Sequence, residues 1–338
     1  MENSIDIVIT WVDGNDSKWL EERSKYTHGN INKEGIDSAR FRDWGTLKYV
    51  LRSIEKNAPW VNKIFLITAN QVPEWYKENS KLTIISHNEF IPKEYLPTFS
   101  SHVIECFLHL VPGLSEKFIY FNDDTLILKP SKPEDFFVNN LPVDYAALHL
   151  HAVKKSLMIH QIANNSISII NEYFDLKKVL KDRKYQWINL QYGLKKNLKT
   201  LLFSHSPRFS GIEQHHMPQP YLKSTFKEVW LRETDTLMET ANHKFRHKND
   251  INQWLFRNWQ LASGNFYPIS PKYRGLMIDF EKNDEITELK RCLTELQRKR
   301  YFMICINDGD DIENLDLITF KVEEGLERAF SEKASWEI

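Results

Sequence analysis

The stretch IDIVITWV, residues 5–12, is a short and almost unbroken run of apolar and β-branched residues that ends at Asp13 and Gly14. A run of that length without polar alternation is the pattern of a strand covered on both faces, as in a parallel sheet wrapped by helices. The same grammar repeats outward from it. GTLKYVLRSIEKN (45–57) sets Leu47, Val50, Leu51 and Ile54 at helical spacing, with Pro59 beyond as a stop signal. KIFLIT (63–68) and LTIIS (82–86) read as strands, and PEWYKEN (73–79) as a short helix opened by proline. SSHVIECFLHLV (100–111) places Val103, Ile104, Phe107 and Leu108 on one helical face, and FIYF (118–121) follows as a fourth strand. Strands alternating with helices predict an α/β fold with a mostly parallel central sheet flanked by helices.

Composition agrees. The 338 residues, 41% hydrophobic and 13% aromatic, suffice for a real core. Forty-five basic against forty-six acidic residues argue against a nucleic-acid partner. Cys106, Cys292 and Cys305 are odd in number and contain no CxxC pair, so neither a disulfide framework nor a zinc site is expected, and a reducing compartment fits. The N-terminus has no basic region followed by a long apolar stretch, and no apolar run approaches a membrane span; the expectation is a protein neither secreted by a classical signal nor membrane-spanning.

The fourth strand empties into Asn122, Asp123 and Asp124. Adjacent carboxylates repel and resist burial without compensation. In open α/β sheets ligands bind beyond the carboxyl ends of the strands, so Asp13, Asp123 and Asp124 would face one crevice and offer oxygen ligands to Mg²⁺ or Mn²⁺, with a nucleotide diphosphate as the natural partner. Asn and Asp also favour turns, so a simple turn remains an equal reading. YFMICINDGDD (301–311) repeats the pattern, a strand-like run ending at Asn307 and Asp308.

Three segments organise the chain: an α/β half at 1–150, a lysine-rich helical insertion at 151–205, and a remainder at 206–338. The insertion reads either as helices packed on the main domain or as an acceptor or membrane-surface face. The loop SPRFSGIEQHHMPQPYLKS (206–224) carries His215 and His216, of which one alone could act as a general base. Arg246, His247 and Lys248 precede a helix and could meet phosphate oxygens, or simply form an exposed basic loop.

Four blocks together resemble the Stealth family of sugar-phosphate transferases. They are IDIVITWVDGND (5–16), the long block from ARFRDWGTLKYV through LPTFSSHVIE to LSEKFIYFNDD (39–124), HHMPQPY (215–221) with FRHKND (245–250), and CINDGDD (305–311). The resemblance implies a GT-A-like core, a UDP-hexose or UDP-N-acetylhexosamine donor, Mg²⁺ or Mn²⁺, and a glycan acceptor, lipid-linked in one version. It implies transfer of a whole sugar-1-phosphate with release of UMP, in capsular or cell-surface polysaccharide synthesis. By motif, Trp11, Asp13 and Gly14 lie beside the nucleotide, and Asn122, Asp123 and Asp124 form the metal and diphosphate group. His216 matches the general base and Arg246 the phosphate-binding arginine, while Asn307 and Asp308 complete the site. Arg40 and Arg42 are further phosphate candidates, with an ion pair to Asp43 or Asp37 as the alternative. The setting implied is cytoplasmic, with peripheral association at the inner membrane surface as one version. An ordinary metal-dependent glycosyltransferase releasing UDP and a non-catalytic nucleotide-sugar binding protein are the rival readings.

Overall fold

A computed structural model describes residues 4–27, 41–271, 275–280, 284–309 and 312–338. The chain begins with β1 (Ile5–Thr10), α1 (Ser17–Ser24), α2 (Thr46–Asn57), β2 (Ile64–Thr68), β3 (Leu82–Ser86), α3 (Ser101–Phe107), β4 (Lys117–Asn122) and β5 (Thr125–Ile127). It continues with β6 (Phe137–Val138), β7 (Leu141–Asp144) and four helices, α4 (Met158–Tyr173), α5 (Leu176–Asp182), α6 (Lys184–Trp187) and α7 (Leu194–Phe203). After them come β8 (Gln219–Leu222), α8 (Lys223–Arg232), α9 (Thr234–Ala241), α10 (Gln253–Ser263), β9 (Tyr267–Pro268), β10 (Leu276–Asp279), α11 (Glu285–Arg298), β11 (Met303–Asn307) and α12 (Leu315–Ala329).

The central sheet has the order β3-β2-β1-β4-β8, with the first four strands parallel and β8 antiparallel to β4. Strand order runs one way from β1 to β3 and the other way to β4, so the crevice of a topological switch opens beyond the carboxyl ends of β1 and β4. Thr10 and Asn122 are paired at that edge. Pro220 sits in β8 because an edge strand can spare an N–H. The proline-rich sequence there reads as loop, which is why this strand was not anticipated.

Side chains alternate across the sheet into two cores, each sealed by one layer of helices. Ile5, Ile7, Ile9, Ile64, Leu66, Ile119 and Phe121 face one core, which α2, α11, α12, β10 and β11 complete. Val8, Phe65, Ile67, Phe118 and Tyr120 face the other, closed by α3, α4, α8 and α10. The chain therefore interleaves around one sheet: β10, α11, β11, α12 and Trp336 share a core with α2, and α4 packs on α10. Among the described residues no helix is long and apolar enough to cross a membrane.

The turn after β4 sends the chain out of the main sheet into β5, which pairs antiparallel with β11, the latter also pairing with β10. This places the two acidic strand ends side by side. Residues 73–79 differ from expectation: they form a turn rather than a helix. Tyr76 bridges to Glu337, the Lys77 N–H donates to the Trp336 carbonyl (2.7 Å) and the Ile338 N–H to the Trp75 carbonyl (3.0 Å). Seven residues form a marginal helix at best, and here their backbone groups hold the C-terminal tail.

Candidate functional site

At the switch point lies a cavity of about 530 Å³. Trp11, Arg42, Asn122, Asp123, Asp124, His216, Arg246, Asn307 and Asp308 all line it.

Asp123 and Asp124 occupy the turn between β4 and β5. The Thr46 hydroxyl at the start of α2 donates to the Asp123 carbonyl (2.8 Å), and the Ile306 N–H to the Asp124 carbonyl (3.0 Å), so backbone bonds from both sides fix the turn. The Asp124 carboxylate accepts from the Thr125 hydroxyl (2.9 Å) and from Cys305 Sγ (3.4 Å). Burial, reinforced by the charges of Asp124 and Asp43, pushes the Asp123 carboxyl well above the ordinary range. Burial raises Asp124 too, against the lowering pull of Thr125, His216 and Cys305. Among the described residues no lysine or arginine forms an ion pair with either carboxylate. Two adjacent, half-buried carboxyl groups whose charged forms are disfavoured by burial fit a hard divalent ion, which would favour their ionised forms.

His216 faces this pair from the loop before β8. Its ring lies edge-on to Trp254 at 6.1 Å, and its charge bears on Asp124. His215 turns elsewhere, stacking on Tyr145 at 5.7 Å with Nε2 3.6 Å from Asp144. The loop is held by Arg257, a fully buried guanidinium on α10. It grips Asp144 with two bonds (2.9 and 3.0 Å) and donates to the Glu213 carbonyl (2.7 Å) and Gln214 Oε1 (2.9 Å). The fork geometry of arginine lets one side chain lock both a buried carboxylate and the loop that carries the histidine.

Arg246 reaches the opposite wall, where its Nη2 donates to the Ser101 hydroxyl at the start of α3 (2.8 Å). Its loop is folded around Asp250, a buried carboxylate that pairs with His243 Nδ1 (2.7 Å) and His102 Nδ1 (2.8 Å) and accepts from the His247 N–H (2.8 Å). Burial alone would raise the Asp250 pKa, but the bonds from His102 and His243 bring it below the ordinary value. His243, His247 and Asp250 lie close enough to suggest a metal cluster, yet both Asp250 oxygens are already used by these donors, so the group acts as a hydrogen-bonding hub.

The other expected residues are distributed unevenly. Trp11 Nε1 donates to Asp43 (3.0 Å), which also caps the Gly45 N–H (2.6 Å). Arg42 does not pair with Asp43; its Nη1 contacts both oxygens of Asp308 at 3.0 Å, linking the loop before α2 to the end of β11. Asn307 donates to Asp279 (3.3 Å) and to the Asp308 carbonyl (3.1 Å). Asp13 and Gly14 are not among the lining residues. The Asp13 carboxylate caps the Asn15 N–H (2.9 Å), and a Cβ on Gly14 would stand 1.9 Å from the Phe41 carbonyl oxygen, so this glycine is demanded by close backbone approach. Arg40 and Asp37 lie outside the described residues.

Sequence reasoning passed over the polar side of α3. Ser101, His102 and Glu105 all line the cavity, and Glu105 accepts from the Tyr120 hydroxyl (3.3 Å) and the Gln253 N–H (2.9 Å). The available signal was SxxxE at i, i+4 on a helix whose other face is apolar.

Comparison with known proteins places these elements in company. Three models of the Stealth proteins match: conserved region 1 at residues 3–31, conserved region 2 at 40–144 and conserved region 3 at 215–256. A capsular polysaccharide phosphotransferase WcwK of Streptococcus pneumoniae is 40% identical, with 98% of each chain covered. The receptor polysaccharide phosphotransferase WefC of Streptococcus gordonii is 38% identical over 100% of both chains. The exopolysaccharide phosphotransferase cps2G of Lactiplantibacillus plantarum is 35% identical, covering 98% of this chain and 96% of its own. Among solved structures, the galactosyltransferase LgtC with donor and acceptor sugar analogues superposes over 97% of this chain and 96% of its own, at 12% identity and a TM-score of 0.42, too loosely to carry an argument.

Proposed function

The chain belongs to the Stealth family, and from that premise we propose that it is a polysaccharide phosphotransferase that moves a hexose-1-phosphate, or an N-acetylhexosamine-1-phosphate, from a UDP-sugar to a glycan hydroxyl. UMP leaves and a phosphodiester remains. The observation that carries this reading is the convergence of His216, Arg246 and the uncompensated Asp123–Asp124 pair on one cavity at the switch point of the sheet. The names of the relatives favour phosphoryl over glycosyl transfer.

In this reading Asp123 and Asp124 hold Mg²⁺ or Mn²⁺, which their carboxylate-only donor set suits. When bound, such an ion neutralises diphosphate oxygens. An acceptor hydroxyl is a weak nucleophile at neutral pH. His216 takes its proton as the oxygen bonds to the β-phosphorus, and the bond from that phosphorus to the oxygen bridging to UMP breaks. Arg246, fixed by Ser101, stabilises charge on the transferring phosphoryl group. Trp11, with its indole N–H anchored on Asp43, offers a flat wall beside the nucleotide. The acceptor is a glycan, carried on a lipid where synthesis is membrane-linked.

The test is the nucleotide product. Purified protein is incubated with a panel of UDP-hexoses, Mg²⁺ or Mn²⁺ and glycan acceptors, and UMP is resolved from UDP by chromatography. UMP with a phosphodiester signal in ³¹P NMR supports the proposal. UDP with a plain glycosidic product overturns it.

A further inference from the structure

α7 is an amphipathic helix that shows its apolar stripe to solvent. Leu194, Leu198, Leu201 and Leu202 follow an i, i+4, i+7, i+8 spacing and so share one face. They are exposed by 76%, 55%, 44% and 70%, and Leu190, just before the helix, by 96%. The face turned inward is polar: the Thr200 hydroxyl is buried and accepts from the Leu148 N–H (3.1 Å), and Lys196 pairs with Glu213. A soluble helix ordinarily does the reverse, and single apolar residues scattered on a surface would need no explanation, whereas a stripe does.

The surroundings are strongly basic in a chain whose net charge is −1. From 176 to 203 the sequence carries eight lysines and arginines against a single acid, Asp182. Lys177, Lys178, Lys181, Lys184 and Lys195 are exposed, and Lys199 partly so. Exposed leucines flanked by lysines combine insertion into the acyl boundary with attraction to anionic headgroups, and long lysine stems let the charges stay in water while the leucines sink. A second copy of the chain is the poorer occupant, because a two-fold contact would press each cationic patch against its own image.

We propose that α7, with the basic turns around it, is a docking face for an anionic lipid surface. The placement has a consequence for the cavity. The ion pair from α7 ends on Glu213, three residues before His216 and so within about 10 Å of chain from it. Tyr192, beside α7, also packs on Tyr145, which stacks on His215. A membrane held at α7 therefore lies on the side of the histidine loop.

Vesicle flotation with the full chain tests this without donor or acceptor, so its outcome is separate from that of the transfer assay. Vesicles of phosphatidylcholine with about one third phosphatidylglycerol are compared with phosphatidylcholine alone. The expected result is binding to the anionic vesicles, at least roughly tenfold weaker binding to the neutral ones, and loss of binding in about 0.5 M salt. Leu198→Ser with Leu202→Ser, and separately Lys195→Glu with Lys199→Glu, each lower the bound fraction roughly tenfold while the thermal midpoint is unchanged. Equal binding to both vesicle types, binding by neither, or variants that bind like the parent overturn the proposal. So does a dimer in sedimentation that the leucine variant dissolves, since the stripe is then covered by a second copy.

Discussion

Replacing Asp123 by Asn should make the metal-free protein more stable while destroying its activity. The carboxylate sits beside Asp124, enclosed except where it meets the cavity, and both are pushed up by burial. Like unit charges repel by about 1 to 3 kcal/mol at a separation on the order of 6 Å and an effective dielectric of about 20 to 40. Asn keeps the shape and removes the charge. For a chain of this length an unfolding entropy of about 0.7 kcal/mol/K converts that gain into a rise in Tm of about 1.5 to 4 °C. The pH dependence has a definite sign. A carboxyl whose folded pKa lies above its unfolded value of about 3.9 favours folding when protonated and loses that contribution as pH rises through the folded pKa. The advantage of Asp123→Asn is thus largest above the raised folded pKa and shrinks as the pH falls below it, where the parent protein takes up the proton itself. Mn²⁺ or Mg²⁺ should give the parent the same relief: at a hundred times Kd the gain is about 2.7 kcal/mol, or about 4 °C, and the variant should not respond. Differential scanning calorimetry in chelator, then in metal, reads all three effects. A variant that melts below the parent in chelator, at every pH, would refute the account of uncompensated charge.

Other substitutions separate chemistry from architecture. His216→Gln should cut turnover by about 10² to 10⁴ with the far-ultraviolet spectrum and UDP-sugar binding retained, as measured by circular dichroism and calorimetric titration. Arg257→Lys keeps a buried charge near Asp144 but loses the fork that holds the Glu213 carbonyl and the Gln214 side chain, so kcat should fall while KM for the donor changes little, read from steady-state kinetics. Arg52→Met leaves Glu337 buried without its partner and releases the C-terminal tail; a cost of about 3 to 5 kcal/mol, seen as a Tm lower by about 4 to 7 °C, should come with early proteolysis near the C-terminus.

How much of this is legible in sequence depends on where each residue's partners sit. Strands β1 to β4 and helix α2 follow from local apolar pattern, because burial on both faces leaves its mark on every residue of the run. The two acidic strand ends were visible as residues, and the fact that they adjoin was not. That depends on β5 leaving the main sheet to pair with β11, a contact across about 180 residues. Arg257 looks like any charged residue in a helix, and nothing local marks it as the clamp on Asp144, 113 positions away. On α3, His102 and Glu105 read as the solvent side of an amphipathic helix, but that side faces the cavity. α7 shows the complementary ambiguity: the period reveals a stripe, and only packing tells which way it points. Residues 73–79 went astray because proline signalled a helix start where the C-terminal tail claims the backbone.

The account turns on which phosphorus moves, and a donor labelled with ³²P at the β-phosphorus answers that most directly. Sugar-1-phosphate transfer at His216, Arg246 and the Asp123–Asp124 pair predicts that the label passes to the polymer and that the released nucleotide is unlabelled UMP. Label recovered in UDP, with an unlabelled glycan, would contradict it.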